Sequence, residues 1–280
     1  MKIHEITEDV NGTSDTEREK YRDKITSKKR INLESYLPKI ELAIAQYKQG
    51  NTIWRGVPSK TPIMLVDHSK VERRAANTAN YMNILQSMLP SWKGYPPRNK
   101  SFICSEHRGY AANFLSFKAQ QPHIVLPIGD PVIGIAPTQD WWGSFTCELD
   151  VPTINYMLNC MFRAASEVDD ATVTRQLSSD PVQMIEDLKF VDYVRRTNGP
   201  KLRGELNDIG SYMQPIVDNM MSMPVLTWVE EILDPTDNEF SKTTLSQFSN
   251  AHSGYELWSS APAVMMQQYV LDDLIEKGYM

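Results

Sequence analysis

Ile53-Trp54-Arg55-Gly56-Val57 and Ile63-Met64-Leu65-Val66, joined by a proline-containing turn, decide the fold class. Short runs of β-branched and aromatic residues bounded by prolines read as strands, because they are too brief to bury a helical face. Ser69 to Leu89 then reads as a helix, with Ser69 as N-cap and Glu72 at the capping-box position. Pro90 and the aromatic, proline-rich Trp92-Lys93-Gly94-Tyr95-Pro96-Pro97 close it. Next come a strand at Ser101-Phe102-Ile103-Cys104-Ser105, a short helix around Tyr110 to Leu115, and a strand at His123 to Leu126. Gly129-Asp130-Pro131 is a turn and Val132 to Ala136 another strand.

Upstream, Leu33, Leu37, Ile40, Ile44 and Tyr47 recur at helical spacing, with Gly50 as the candidate C-cap. Residues 1–50 therefore read as an N-terminal helical segment. Downstream, the period is helical from Pro152 to Leu233, as in Ile154, Met157, Leu158, Met161, Phe162 and in Met184, Ile185, Leu188, Val191, Val194. This block, taken as an insertion at about 152–245, includes several of the fourteen methionines, which suit an adaptable helical core. Tyr255 to Trp258 and Val264 to Val270 return to strand, and the chain ends in a polar helix. The expectation is an α+β fold: strands at both ends of the chain, with helices before and between them.

Composition bounds the function. With 280 residues, 41% of them hydrophobic, the chain can bury a core and is not disordered as a whole. The net charge of −6 gives no footprint for nucleic acid or anionic membrane. No run approaches the roughly 18 apolar residues of a membrane span. The polar start MKIHEITEDVNGTSDTEREK has no apolar signal core, so a soluble, cytoplasmic protein is expected. Cys104, Cys147 and Cys160 are odd in number and widely spaced, which predicts reduced thiols. No CxxC or HExxH occurs, so no metal is expected; P-loop, GxGxxG and GxSxG signatures are absent too. Lys28-Lys29-Arg30 and Arg195-Arg196 read as solvated helix faces.

Three polar features inside strands stand out. Arg55 precedes Gly56, which would let a ligand approach the backbone closely; the same Arg could equally cover Trp54 or form a structural ion pair. Alternation sets Ser101, Ile103 and Ser105 on one face of their strand, toward a cleft or toward solvent. Glu256, between Tyr255 and Leu257, either meets solvent or points into a pocket.

The order of these pieces resembles the ADP-ribosyltransferases of the Arg–Ser–Glu type. An aromatic–Arg–Gly strand, Ile53-Trp54-Arg55-Gly56, is followed by a serine strand, Ser101 to Ser105, with Ala111-Ala112-Asn113-Phe114 after it. A late strand with one glutamate, Tyr255-Glu256-Leu257-Trp258, completes the pattern. Arg74-Ala75-Ala76-Asn77-Thr78-Ala79-Asn80-Tyr81, Pro90-Ser91-Trp92 and Tyr95-Pro96-Pro97-Arg98-Asn99-Lys100-Ser101 resemble strings in phage and bacterial proteins regarded as ADP-ribosyltransferase-like. The likeness spans Asn51 to Phe145 and the C-terminal strands, half of the chain.

The resemblance implies a split mixed β-sheet whose cleft takes NAD as a substrate, within a transferase domain at 51–280 carrying the helical insertion. Arg55 would bind the NAD phosphates or brace the nicotinamide-ribose end. Ser101 would position that ribose, with Ser105 as the alternative, because Ile103-Cys104-Ser105 stands where the family carries Ser-Thr-Ser. Glu256 would bond the ribose 2′-hydroxyl and stabilise the sugar cation as nicotinamide leaves. Gly56, Asn77, Asn80 and Tyr81 would line the same cleft. Two residues before Glu256, where the family often has Glu or Gln to engage the acceptor, this chain has Gly254, so the acceptor stays unassigned. The implied activity is mono-ADP-ribosyl transfer to a protein or other host macromolecule, in the host cytoplasm. Two alternatives stand beside it: a non-catalytic virion or interaction protein that keeps the fold, and an NAD glycohydrolase toxin. Replacing Glu256 by Gln is expected to abolish turnover and leave the fold intact.

Overall fold

Short strands need neighbours to satisfy their backbone groups, and in the computed structural model they find them in one hydrogen-bonded sheet. The structure describes residues 2–6, 30–57, 59, 61–67, 88–115, 121–145, 151–169, 177–178, 181–207, 213–251 and 255–280. The expected helix at 69–89, apart from Met88 and Leu89, lies outside the described residues, as do Asn77, Asn80, Tyr81 and Cys147. The strands are β1 (Lys2–Ile6), β2 (Arg30–Asn32), β3 (Trp54–Arg55), β4 (Ile63–Val66), β5 (Phe102–Ser105), β6 (His123–Pro127), β7 (Val132–Ile135), β8 (Ser241–Thr244), β9 (Glu256–Ser259) and β10 (Ala263–Gln267). Their order is β2-β1-β4-β10-β6-β3-β5-β9-β7-β8. From β4 to β8 every neighbouring pair is antiparallel, and β1 joins this eight-stranded run parallel to β4.

The chain divides into two compact units. The first takes residues 1–76, 94–144 and 239–280 and contains the whole sheet; the second takes 77–93 and 145–238. In the first, β3 is the narrow point of the sheet. It pairs with β6 through Trp54 and Arg55 and with β5 through Trp54 alone. The apolar core lies on both faces of β4, β6 and β10: Met64 and Val66 on one, Ile124, Leu126, Val264 and Met266 on the other, all nearly inaccessible to water. α1 (Glu41–Lys48) supplies Ile44 to the same core, and α7 (Gln268–Glu276), last of the helices in chain order, supplies Leu271.

The second unit is helical: α3 (Val151–Asp169), α4 (Pro181–Leu206), α5 (Gln214–Ser222) and α6 (Val225–Ile232). Met157, Leu158, Met161, Met184, Leu188 and Val191 are fully buried, as their period requires. α4 is kinked at Asn198, whose φ of −133° lies outside helical geometry, just before Gly199-Pro200.

Several boundaries differ from the sequence reading; the strand read at Val264 to Val270 ends at Gln267, and Gln268 to Val270 belong to α7. Residues 1–50 are not a separate helical segment, because β1 and β2 join the sheet. Pro38 breaks the 33–40 stretch into two short turns, so the helix starts only at Glu41, although Leu33, Ile40 and Ile44 are buried as their period predicts. The helical insertion stops short of 245, because Ser241-Lys242-Thr243-Thr244 is strand β8. That edge strand faces solvent with its first two residues and carries no apolar alternation to announce it.

Candidate active site

The register of β3, β5 and β9 builds the site. Trp54 opposes Ser105, and Ser105 opposes Glu256, so the three stand in one row across neighbouring strands. Arg55 follows Trp54 in the chain and donates from Nη1 to the Ile103 carbonyl on β5 (2.8 Å). It is therefore an interior residue of the sheet, not an edge-strand cover for Trp54. A cleft open to solvent lies here. Trp54, Arg55, Gly56, Ile103, Cys104, Ser105, Glu256 and Gln139 line it, with Tyr110, Ala111 and Phe114 from the chain in and after α2 (Arg108–Ala112).

Arg55, Gly56, Ser105 and Glu256 thus meet in one cleft, although they come from distant parts of the chain. Ser101 is not among the lining residues. It is fully buried one residue before β5, and its hydroxyl donates to the Pro97 carbonyl (2.7 Å). Asn77, Asn80 and Tyr81 lie outside the described residues. The Ser105 hydroxyl accepts from the His107 amide (3.1 Å), which places it at the end of β5 where the chain turns into α2. Gly56 lines the cleft, and its missing side chain makes room for α2. A Cβ there would stand 2.1 Å from the Ala111 carbonyl oxygen of α2, so the glycine lets that helix pack against β3.

Glu256 is buried and its carboxylate is held at both oxygens. Arg98 donates from Nη1 to Oε1 in a buried ion pair, and the Trp141 amide donates to Oε2 (3.2 Å). The Arg98 guanidinium lies over the Trp141 ring (4.8 Å) and near the Trp258 ring (5.9 Å). Arg98 carried no signal of this role in the sequence beyond its place in a proline- and aromatic-rich string just before the serine strand.

A second buried carboxylate steadies the entry to β9. Glu106 accepts the amides of Tyr255 (3.1 Å) and Ala251 (2.9 Å), and its own amide donates to the Tyr255 carbonyl (3.3 Å). On the other side of β3, His123 opposes Arg55 and is wholly buried, with Nε2 against the Thr61 carbonyl (2.9 Å). Burial lowers its pKa from the ordinary 6.5, opposed by its hydrogen bonding to the backbone of Thr61 and Gln121.

Cys104 is buried and Cys160 half-buried, and both are free thiols. Among the described residues there is no cluster of His, Cys, Asp or Glu that could hold a metal, and no helix is long and apolar enough to cross a membrane. Comparison of the chain with protein-family models, with curated proteins and with solved structures finds no match.

Proposed function

We propose that the cleft binds NAD at its nicotinamide-ribose end and that the protein transfers the ADP-ribosyl group to an acceptor on another macromolecule. One observation carries this reading: Arg55, Ser105 and Glu256, from three neighbouring strands, line one cleft. Cleavage of the bond between ribose C1′ and the nicotinamide nitrogen sends the electron pair to nicotinamide and leaves positive charge on the sugar. A fixed carboxylate stabilises that charge and accepts a hydrogen bond from the 2′-hydroxyl. Arg55 offers a planar cation for a phosphate oxygen, and the Ser105 hydroxyl a polar contact for the ribose. The acceptor's lone pair then closes on C1′ and its proton leaves to solvent. With water as acceptor, the same step is NAD hydrolysis. The site of action under this reading is the host cytoplasm.

A second reading, a non-catalytic virion or interaction protein of the same fold, is favoured by the Glu256 carboxylate, both of whose oxygens are already engaged within the protein. Purified protein incubated with NAD separates the two. Nicotinamide release, with transfer of label from tagged NAD into a lysate, supports the transferase; release without label transfer supports the hydrolase. Arg55→Lys keeps the charge but loses the planar fork, and should weaken NAD binding while the fold survives. Wild-type protein that neither releases nicotinamide nor transfers label would overturn the enzymatic reading in favour of the second.

A further inference from the structure

We infer that Arg98 is a positioning residue for the reaction proposed above, setting from behind the cleft the place and direction of the Glu256 charge; this rests on the NAD-cleaving reading of the same site. Arg98 does not line the cleft, yet it is the ion-pair partner of the carboxylate that does. A buried carboxylate needs a counter-charge, and one pinned at a single oxygen could still swing about its last torsion. Here Arg98 fixes Oε1 and the Trp141 amide fixes Oε2, so rotation breaks one bond or the other.

The guanidinium is itself immobilised. Trp141 and Trp258, both fully buried, lie against it, and Trp258 also donates from Nε1 to the Pro96 carbonyl (2.9 Å), two residues before Arg98. Tyr95 stacks on Trp258 with ring centroids 6.2 Å apart and planes 15° apart, tying down the same short segment. Glu256, Arg98 and their supports therefore move as one body. Such an arrangement suits a carboxylate whose task is to meet a charge that develops in the transition state, since no reorganisation is then needed at the moment of reaction.

Three variants test this: Arg98→Lys, Arg98→Met, and the neutral pair Arg98→Met with Glu256→Gln. Lysine keeps the charge and loses the flat surface and second donor that fit between two indoles. The expected result for Arg98→Lys is a folded protein whose KM for NAD stays within twofold while kcat falls about tenfold or more, as for loss of an interaction used in the transition state. Arg98→Met should lower the melting temperature by leaving Glu256 without its counter-charge, and the neutral pair should recover much of that loss. A folded Arg98→Lys protein with wild-type kcat would overturn the assignment alone, as would an Arg98→Met protein that melts like wild type. Wild-type protein with no NAD cleavage would overturn the enzymatic reading and the assignment together.

Discussion

The carbonyl oxygen of Ala111 occupies the space a side chain at Gly56 would need: a Cβ built there stands 2.1 Å from it, and 3.0 Å from the Cβ of Phe114. Backbone cannot yield as a flexible side chain can, so Gly56→Ala must push α2 and the turn after it away from β3. The cost of such overpacking is about 1–3 kcal/mol. Tyr110 and Phe114, which line the cleft from this piece of chain, move with it. Gly56→Ala should therefore lower the denaturation midpoint and, under the proposed function, weaken NAD binding. An unchanged midpoint by chemical denaturation would contradict the packing described.

Glu106 supplies a second prediction. Its carboxylate accepts two backbone amides, those of Ala251 and of Tyr255 just before β9. Glu106→Ala takes this partner from both amides, one on the exposed Ala251 and one on the half-buried Tyr255, at about 0.5–1.5 kcal/mol for each bond lost. Urea melts should show the loss of stability, and hydrogen exchange at those two amides should accelerate. Glu106→Gln retains one acceptor and should fall between.

His123 predicts the acid side of the stability curve. Its folded pKa is depressed, so below about pH 6.5 the unfolded chain takes up a proton that the folded chain refuses. The contribution is present above that pH and is lost as pH falls toward the folded value, by up to about 1.4 kcal/mol per pH unit. Comparing melts at successive pH values between neutrality and the acid side for wild type and His123→Gln checks this. The variant, which keeps a donor for the Thr61 carbonyl, should show a shallower decline.

Arg195 and Arg196, which as a pair read as a solvated helix face, should part company. Arg195 pairs with Asp192 (3.3 Å) and donates to the Met221 carbonyl (3.1 Å), while Asp192 also accepts the Val225 amide at the start of α6 (3.0 Å). Arg196 is exposed. Arg196→Glu should change stability by less than about 0.5 kcal/mol and leave NAD binding as it was. Arg195→Glu sets two like charges side by side and frees the Met221 carbonyl, and should destabilise by about 1–3 kcal/mol in a thermal melt.

Replacing Glu256 alone is a poorer probe than its strand position suggests. Glutamine keeps the shape but leaves Arg98 buried without its counter-charge, so Glu256→Gln should also lower the melting temperature. Sequence spacing could show that Glu256 sits in a strand. It could not show what stands behind that strand, because Arg98 reaches it from 158 residues away.

What the amino-acid sequence determined by itself was local. The strands β4, β5, β6, β7, β9 and β10 and the helical run after residue 151 follow from side-chain period and from prolines and glycines, which act on their neighbours. Gly50 ends α1 with φ at +90°, and Gly129 turns the chain between β6 and β7 with φ at +77°, as their surroundings predict. Strands without apolar alternation, such as β8, were not legible, since an exposed edge imposes no pattern on its residues. Tertiary structure alone placed Ser105, and not Ser101, in the cleft. The two share one face of the strand by alternation, but Ser105 ends β5 opposite Glu256, whereas Ser101 is buried against Pro97. It also decided that Arg55 and Glu256 share a cleft and that Gly56 makes room for a helix. Register between strands and the partners of buried charges depend on which distant segments pack together, and a one-dimensional period carries no information about that.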